Sequence, residues 1–248
     1  MRRIEFNGHI LELYDDVEDM PIINFQKYNK YLLIDSGIGS DADSIDAHIV
    51  KVAKLIKAND HEKALQELNN MRHNMYMVNC EISPMHMAFA ALIKSVDGKD
   101  VTDLSDSGLT ALLGRIRTIK RHVILDFMSG LKKKIADTLV VYFPGDFTVG
   151  AKSKALYAKL KERASVMLDC IIDGSDNSAA INDIDAEIFS MYRPDVFTGP
   201  GSVEVCFDKS FEMACLLISQ KTNADARKMT VLQFYSALDI IKKQTDVN

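Results

Sequence analysis

Arg3-Ile4-Glu5-Phe6-Asn7-Gly8-His9-Ile10-Leu11-Glu12-Leu13-Tyr14 is the stretch whose reading decides the fold. Asn7-Gly8 separates two runs of strand-forming residues. Both turn residues tolerate positive φ, so the pair predicts a two-residue β-hairpin over residues 3–14. In that register Ile4 faces Leu11 and Phe6 faces His9, which makes one face apolar. An isolated hairpin is marginal in water. It must therefore pack on helices or join a sheet supplied by a neighbour. Ile4, Phe6, Leu11 and Leu13 are the candidates for edge pairing with another copy. On that reading, deleting residues 1–13 costs oligomerisation more than helix content.

Everything outward from the hairpin reads as helix. The 248 residues include only 5 Pro and 12 Gly, too few breakers for many short strands. A chain that is 47% hydrophobic and 26% charged is an ordinary globular protein, which excludes disorder, collagen-like repeats and disulfide scaffolds. Pro21 opens a helix with Ile22, Phe25, Tyr28, Leu32 and Leu33, stopped by Gly37 and Gly39. A second helix carries Ile45, Ile49, Val52, Leu55 and Ile56. A third starts at Asp60 and carries Leu65, Leu68, Met71, Met75 and Val78, and Ser83-Pro84 opens a fourth through Ile93. Residues 98–108 form a polar loop. Residues 109–141 read as nearly continuous helix, with interruptions to be expected near Lys120 or Gly130. Helices over 151–172, 178–191, 204–219 and 225–243 complete the chain. The fold class is mainly α, a helical bundle of about eight helices behind one hairpin. It forms a single domain over residues 1–248, and 97–108 is the natural place for a subdivision.

No motif carries chemistry. Asp35-Ser36-Gly37-Ile38-Gly39-Ser40 has two glycines but follows a helix and lacks the lysine of a phosphate loop. His73, Cys80 and His86 have no standard metal spacing, and His61-Glu62 lacks the second His of a metalloprotease helix. The acidic runs at Asp41 and Asp173 fail the calcium-loop pattern. No nucleophile elbow is present. Cys80, Cys170, Cys206 and Cys215 read as buried, reduced thiols, and Met71, Met75 and Met85 as core filler. No cofactor or metal is expected. The N-terminus lacks the apolar run of a signal peptide, and no segment reaches the roughly 18 apolar residues of a membrane span.

The formal net charge of −5 hides an asymmetry. Between Leu112 and Arg163 stand 12 basic and 4 acidic residues, leaving 18 basic and 31 acidic elsewhere. Arg115, Arg117, Lys120, Arg121, Lys132, Lys133, Lys134, Lys152 and Lys154 form a candidate patch for a polyanion or an acidic neighbour. Asp15, Asp16, Glu18 and Asp19 form a candidate acidic interface. Aromatic residues are scarce among the basic ones, which argues against single-strand recognition. The overall acidity argues against a dedicated DNA binder and leaves weak, non-specific DNA contact.

Three stretches carry a resemblance: Leu13-Tyr14-Asp15-Asp16-Val17-Glu18-Asp19-Met20-Pro21, then residues 25–40 from Phe25-Gln26-Lys27-Tyr28 to Gly37-Ile38-Gly39-Ser40, and Met229-Thr230-Val231-Leu232-Gln233-Phe234-Tyr235. Together they resemble small virion-region proteins of crAss-like tailed phages of gut Bacteroidales. The resemblance implies a non-enzymatic structural protein, made in the bacterial host cytoplasm and carried in the virion. Its place would be near the portal and tail, as a head-to-tail connector or tail-ring protein. It also implies a ring of identical copies in contact with portal or tail components. It transfers no catalytic residue. The rival readings are an assembly chaperone or scaffold, a capsid accessory protein, a helical DNA-binding regulator, and an enzyme with an all-helical site.

Overall fold

The computed structural model describes residues 1–38, 42–78, 82–116, 121–147, 151–191, 194–197 and 199–245. The protein is mostly helical with a small N-terminal antiparallel sheet, as its composition requires. Among the described residues there are eleven α-helical segments, more than the eight expected. The difference comes from the break between 106–116 and 121–142 and from the one-turn helix α7 (Pro144–Phe147).

The hairpin forms as its turn chemistry dictates. Strands β1 (Arg2–Phe6) and β2 (His9–Leu13) pair with Ile4 opposite Leu11 and Phe6 opposite His9. Asn7 and Gly8 both take positive φ, at 48° and 80°. Its place in the sheet differs from expectation. β2 also pairs with β3 (Ile93–Val96), a strand of the same chain, and β3 pairs with the short β4 (Lys99–Asp100). The order is β1-β2-β3-β4. Leu11 and Leu13 therefore lie on an interior strand and are fully buried. They are not available to another copy. Only β1, which carries the half-buried Ile4 and Phe6, borders the sheet on that side.

β3 was read as helix and β4 as loop. The missed signal is Asp97-Gly98, a second two-residue turn with φ of 52° and 77°. Asp97 ties the two hairpins together: its carboxylate accepts from the Ile10 N–H at 2.8 Å and pairs with His9 Nδ1 at 2.7 Å. The hydrogen bond from His9 and the one from the Ile10 backbone hold the Asp97 carboxyl below its usual value.

The central helix is α1 (Ile22–Ile38), which runs through Gly37 instead of ending there. It packs against α3 (His61–Val78), α4 (Pro84–Ala91), α10 (Val203–Thr222) and α11 (Val231–Thr245). Ile22, Phe25, Tyr28 and Tyr31 are buried, and so are Asn24, Gln26 and Lys30. Each of these three polar residues has a partner, as burial demands. Asn24 donates to the Ala91 carbonyl at 2.8 Å, Gln26 to Asp208 at 2.6 Å, and Lys30 to Asp208 at 2.8 Å. The chain before α1 also meets the start of α11. Ile22 N donates to Met229 O, and Val231 N to Met20 O, both at 2.9 Å. Two stretches distant in sequence, 13–21 and 229–235, are thus held together.

Two helices complete this unit. α5 spans Asp106–Ile116 and α6 Arg121–Tyr142. On α6, Ile124, Met128, Leu131, Ile135 and Leu139 recur at helical spacing and are buried. Gly130 lies inside α6 and does not interrupt it.

The chain divides into two compact units, Met1–Pro144 with Asp195–Asn248, and Gly145–Pro194. Residues 97–108 lie within the first unit, where the Asp97-Gly98 turn joins β3 to β4. The second unit contains α8 (Ala151–Asp173) and α9 (Ser178–Met191), which pack on each other. Bidentate bonds from Arg163 to Asp185, at 2.5 and 3.2 Å, and a Lys159–Glu187 pair at 2.7 Å join them.

Candidate functional site

The helical pair α2 (Ala42–Lys57) and α3 is oriented against the apolar pattern of its sequence. On α3 the inward positions are Ala64, Glu67, Asn70 and Asn74, all buried. The apolar stripe Leu65, Leu68 and Met75 is exposed. On α2, His48, Val52 and Leu55 are buried, and Ile49, Val50 and Ile56 are exposed. The reading of these stripes as core is therefore corrected: Met75 is exposed, and Ile49 and Ile56, two of the five α2 stripe residues, face outward.

A polar network explains the orientation. The Glu67 carboxylate is fully buried, 2.6 Å from His48 Nδ1 and 3.6 Å from Lys51 Nζ. Asn70 donates to the Asp195 carbonyl at 2.8 Å, and Gln66 donates to the same oxygen at 3.3 Å. Burying a carboxylate costs several kcal/mol unless it is paired, so this network stabilises only one rotation of α3. The apolar stripe is then left on the outside. Contiguous outward apolar surface of this kind marks interaction sites.

The charged candidates are dispersed. Arg115, Lys132 and Lys133 are exposed on the first unit, and Lys154 is exposed on the second. Arg121 begins α6 and Lys152 lies in the first turn of α8. Arg117 and Lys120, like Cys80, Gly39, Ser40 and Asp41, lie outside the described residues. Lys134 is half-exposed and turns to the acidic segment of its own chain, 3.5 Å from Asp15 and 3.4 Å from Asp16. The N-terminal amine sits 2.7 Å from Asp15. Burial acts to raise the Asp15 pKa, but the amine and Lys134 outweigh it and carry the carboxyl below its usual value. Glu18 and Asp19 remain exposed. The acidic and basic candidates are thus partly each other's partners.

A second polar cluster joins α1 to α5 and α10. Lys30 Nζ lies 2.7 Å from Glu204 and 2.8 Å from Asp208. The Tyr31 hydroxyl donates to Asp106 at 2.6 Å, and Lys27 pairs with the same carboxylate at 3.2 Å. A cavity of about 200 Å³ lies beside it, lined by groups that include Tyr31, His73, Phe197 and Glu204. Titratable groups do converge there, as a catalytic site would require. Their pairing works against proton transfer. Burial, then the bond to Asp106, pushes the Tyr31 phenol far above its ordinary value. Burial acts upward on Asp106 too, but Tyr31 and Lys27 hold its carboxyl low. Tyr31 and Asp106 are thereby each held in the protonation state they already have.

Among the described residues, no group of three or more His, Cys, Asp or Glu is placed to hold a metal, and no helix is long and apolar enough to cross a membrane. Cys215 is buried, Cys170 half-buried and Cys206 exposed, so the thiols do not share one environment. No family model, curated protein or solved structure matches the chain.

Proposed function

We propose that the chain is a non-enzymatic structural subunit of a tailed-phage virion, a head-to-tail connector or tail-ring protein present as a ring of identical copies. The observation that carries this reading is the outward apolar stripe of α3, with Ile49, Val50 and Ile56 of α2 beside it. A ring contact is heterologous and needs two different faces. A second outward apolar group, Met213, Leu216 and Leu217, lies on α10 of the same unit. Exposed Lys132 and Lys133 and exposed Glu18 and Asp19 supply opposite charges for neighbouring copies, or a basic surface toward packaged DNA. The resemblance of residues 13–21, 25–40 and 229–235 to crAss-like virion proteins supplies the particular setting.

The test is quantitative mass spectrometry and symmetry-resolved imaging of gradient-purified particles. The reading expects a fixed copy number at the portal–tail axis. Presence in the infected lysate with absence from finished particles would replace it with an assembly chaperone or scaffold. Charge reversal at Lys132 and Lys133 should lower particle yield while leaving helix content intact; unchanged yield and infectivity would remove those lysines from the interface.

A further inference from the structure

Helix α8 carries two stripes at alternating three- and four-residue spacing, one position apart. Leu156, Lys159, Arg163, Val166 and Cys170 are half-buried, and the ion pairs to Asp185 and Glu187 place this stripe against α9. Tyr157, Leu160, Ala164, Met167 and Ile171 form the second stripe. Its four large members are between 40% and 76% exposed, and Leu168 and Ile172 extend the apolar surface at its edge. Such spacing, sustained over four intervals, is the seam of a helix that packs on another helix. Among the described residues of its unit, α9 is the helix that packs on α8, and it occupies the other stripe.

We propose that the α8–α9 hairpin binds the same hairpin of a second copy of this chain, antiparallel about a twofold axis, to form a four-helix bundle. Charge selects the occupant. Lys154 and Lys161 stand exposed in the first half of α8, Asp169 and Asp173 are exposed in its second half, and Asp176 is exposed in the turn that follows. Lys159 and Arg163 are already engaged by α9. Let two copies of α8 run antiparallel and cross at Ser165, beside Ala164, where small side chains admit close approach. Lys161 then comes level with Asp169 of the other copy, a pair that occurs twice by symmetry. In the same alignment Leu160 lies within one residue of the level of Ile171 and Ala164 within one residue of Met167, so large residues face large and the small one faces flexible Met. Parallel pairing would place lysine on lysine and aspartate on aspartate.

This contact is distinct from the proposed ring contact. A twofold interface cannot close a ring of more than two members. It sets the state of the free protein and holds whether or not the virion assignment does.

The test is sedimentation velocity of the full chain. Wild type should sediment as a dimer at about 50 µM, within the range of a specific homodimer. Leu160→Glu with Ile171→Glu should weaken the dimer by about 100-fold or more, since two seam residues per copy become charged. Both positions are exposed, so circular dichroism should show unchanged helix content. Lys161→Glu should weaken it by about tenfold, since the pair occurs twice. Adding Asp169→Lys to that chain should restore it. A monomeric wild type, a dimer or larger species indifferent to Leu160→Glu and Ile171→Glu, or failure of the charge-swapped chain to recover would overturn the proposal.

Discussion

Replacing Leu11 by Ala tests whether the hairpin is core or appendage. Leu11 lies on β2, between β1 and β3, and is fully buried. Removing a buried Leu side chain to Cβ costs about 2–5 kcal/mol, set by how far the site collapses. Here the strand is paired on both sides, which limits collapse, so about 3 kcal/mol is expected. In a unit of this size each kcal/mol lowers Tm by about 2–4 °C, which gives a drop of about 6–12 °C. Ile4 stands opposite Leu11 but on the border strand and is only half-buried. Ile4→Ala should therefore cost about 1 kcal/mol, because its side chain loses less buried surface. The assay is thermal melting by circular dichroism at one fixed concentration, since self-association makes Tm concentration-dependent. Deleting residues 1–13 should go further and abolish the cooperative melt of the first unit. A Leu11→Ala chain that melts with wild type, or a deletion that keeps full helix content and loses only oligomers, would refute the reasoning.

Other expectations follow from single contacts. Among the described residues the Tyr28 hydroxyl is buried without a hydrogen-bond partner, so Tyr28→Phe should stabilise by about 1 kcal/mol in denaturant titration. Burial raises the Tyr28 pKa from 10.0 to about 12, so its contribution is complete below pH 10 and is lost as pH rises toward 12; Tyr28→Phe should remove that alkaline component. Lys30→Met breaks two ion pairs, but Glu204 and Asp208 are about two-fifths exposed and can rehydrate, so about 1–2 kcal/mol is expected, with faster amide exchange in α10 as the local readout. Glu67→Ala leaves His48 buried without its carboxylate and should cost about 3 kcal/mol in the same titration, whereas Glu67→Gln keeps an acceptor and should cost less.

What was legible in the sequence was local. Asn7-Gly8 specifies its turn by backbone chemistry alone, and the hairpin register followed to the residue. Asp97-Gly98 carries the same chemistry, but its strand partner β3 buries Ile93, Ser95 and Val96 and shows no alternation. A short run buried on both faces cannot be told from helix by period. α1 showed Ile22, Phe25 and Tyr28, which are buried as their spacing predicts, but not its buried polar positions. It is surrounded by helices, and its buried Asn24, Gln26 and Lys30 have partners from residues 67, 182 and 178 positions away. α3 misled outright, because a buried carboxylate outranked an apolar stripe in setting its rotation. No residue-by-residue pattern contains the position of His48 relative to Glu67.

The charge asymmetry changes meaning once its pairs are placed. Lys134 meets Asp15 and Asp16, Lys30 meets Glu204 and Asp208, and Lys159 and Arg163 meet Glu187 and Asp185. Groups engaged this way gain little by exchanging one carboxylate for another on a partner. The exposed charges that remain to steer association include Lys132, Lys133, Lys154 and Lys161 of one sign and Glu18, Asp19 and Asp169 of the other. Rim charges mainly set association rate and orientation, while buried apolar contacts set lifetime. Raising salt should therefore slow assembly of the wild-type chain strongly and shorten the lifetime of its complexes weakly. The same salt should affect the fold less, because the His48–Glu67 pair is buried and the Lys30 end of its pairs is nearly so.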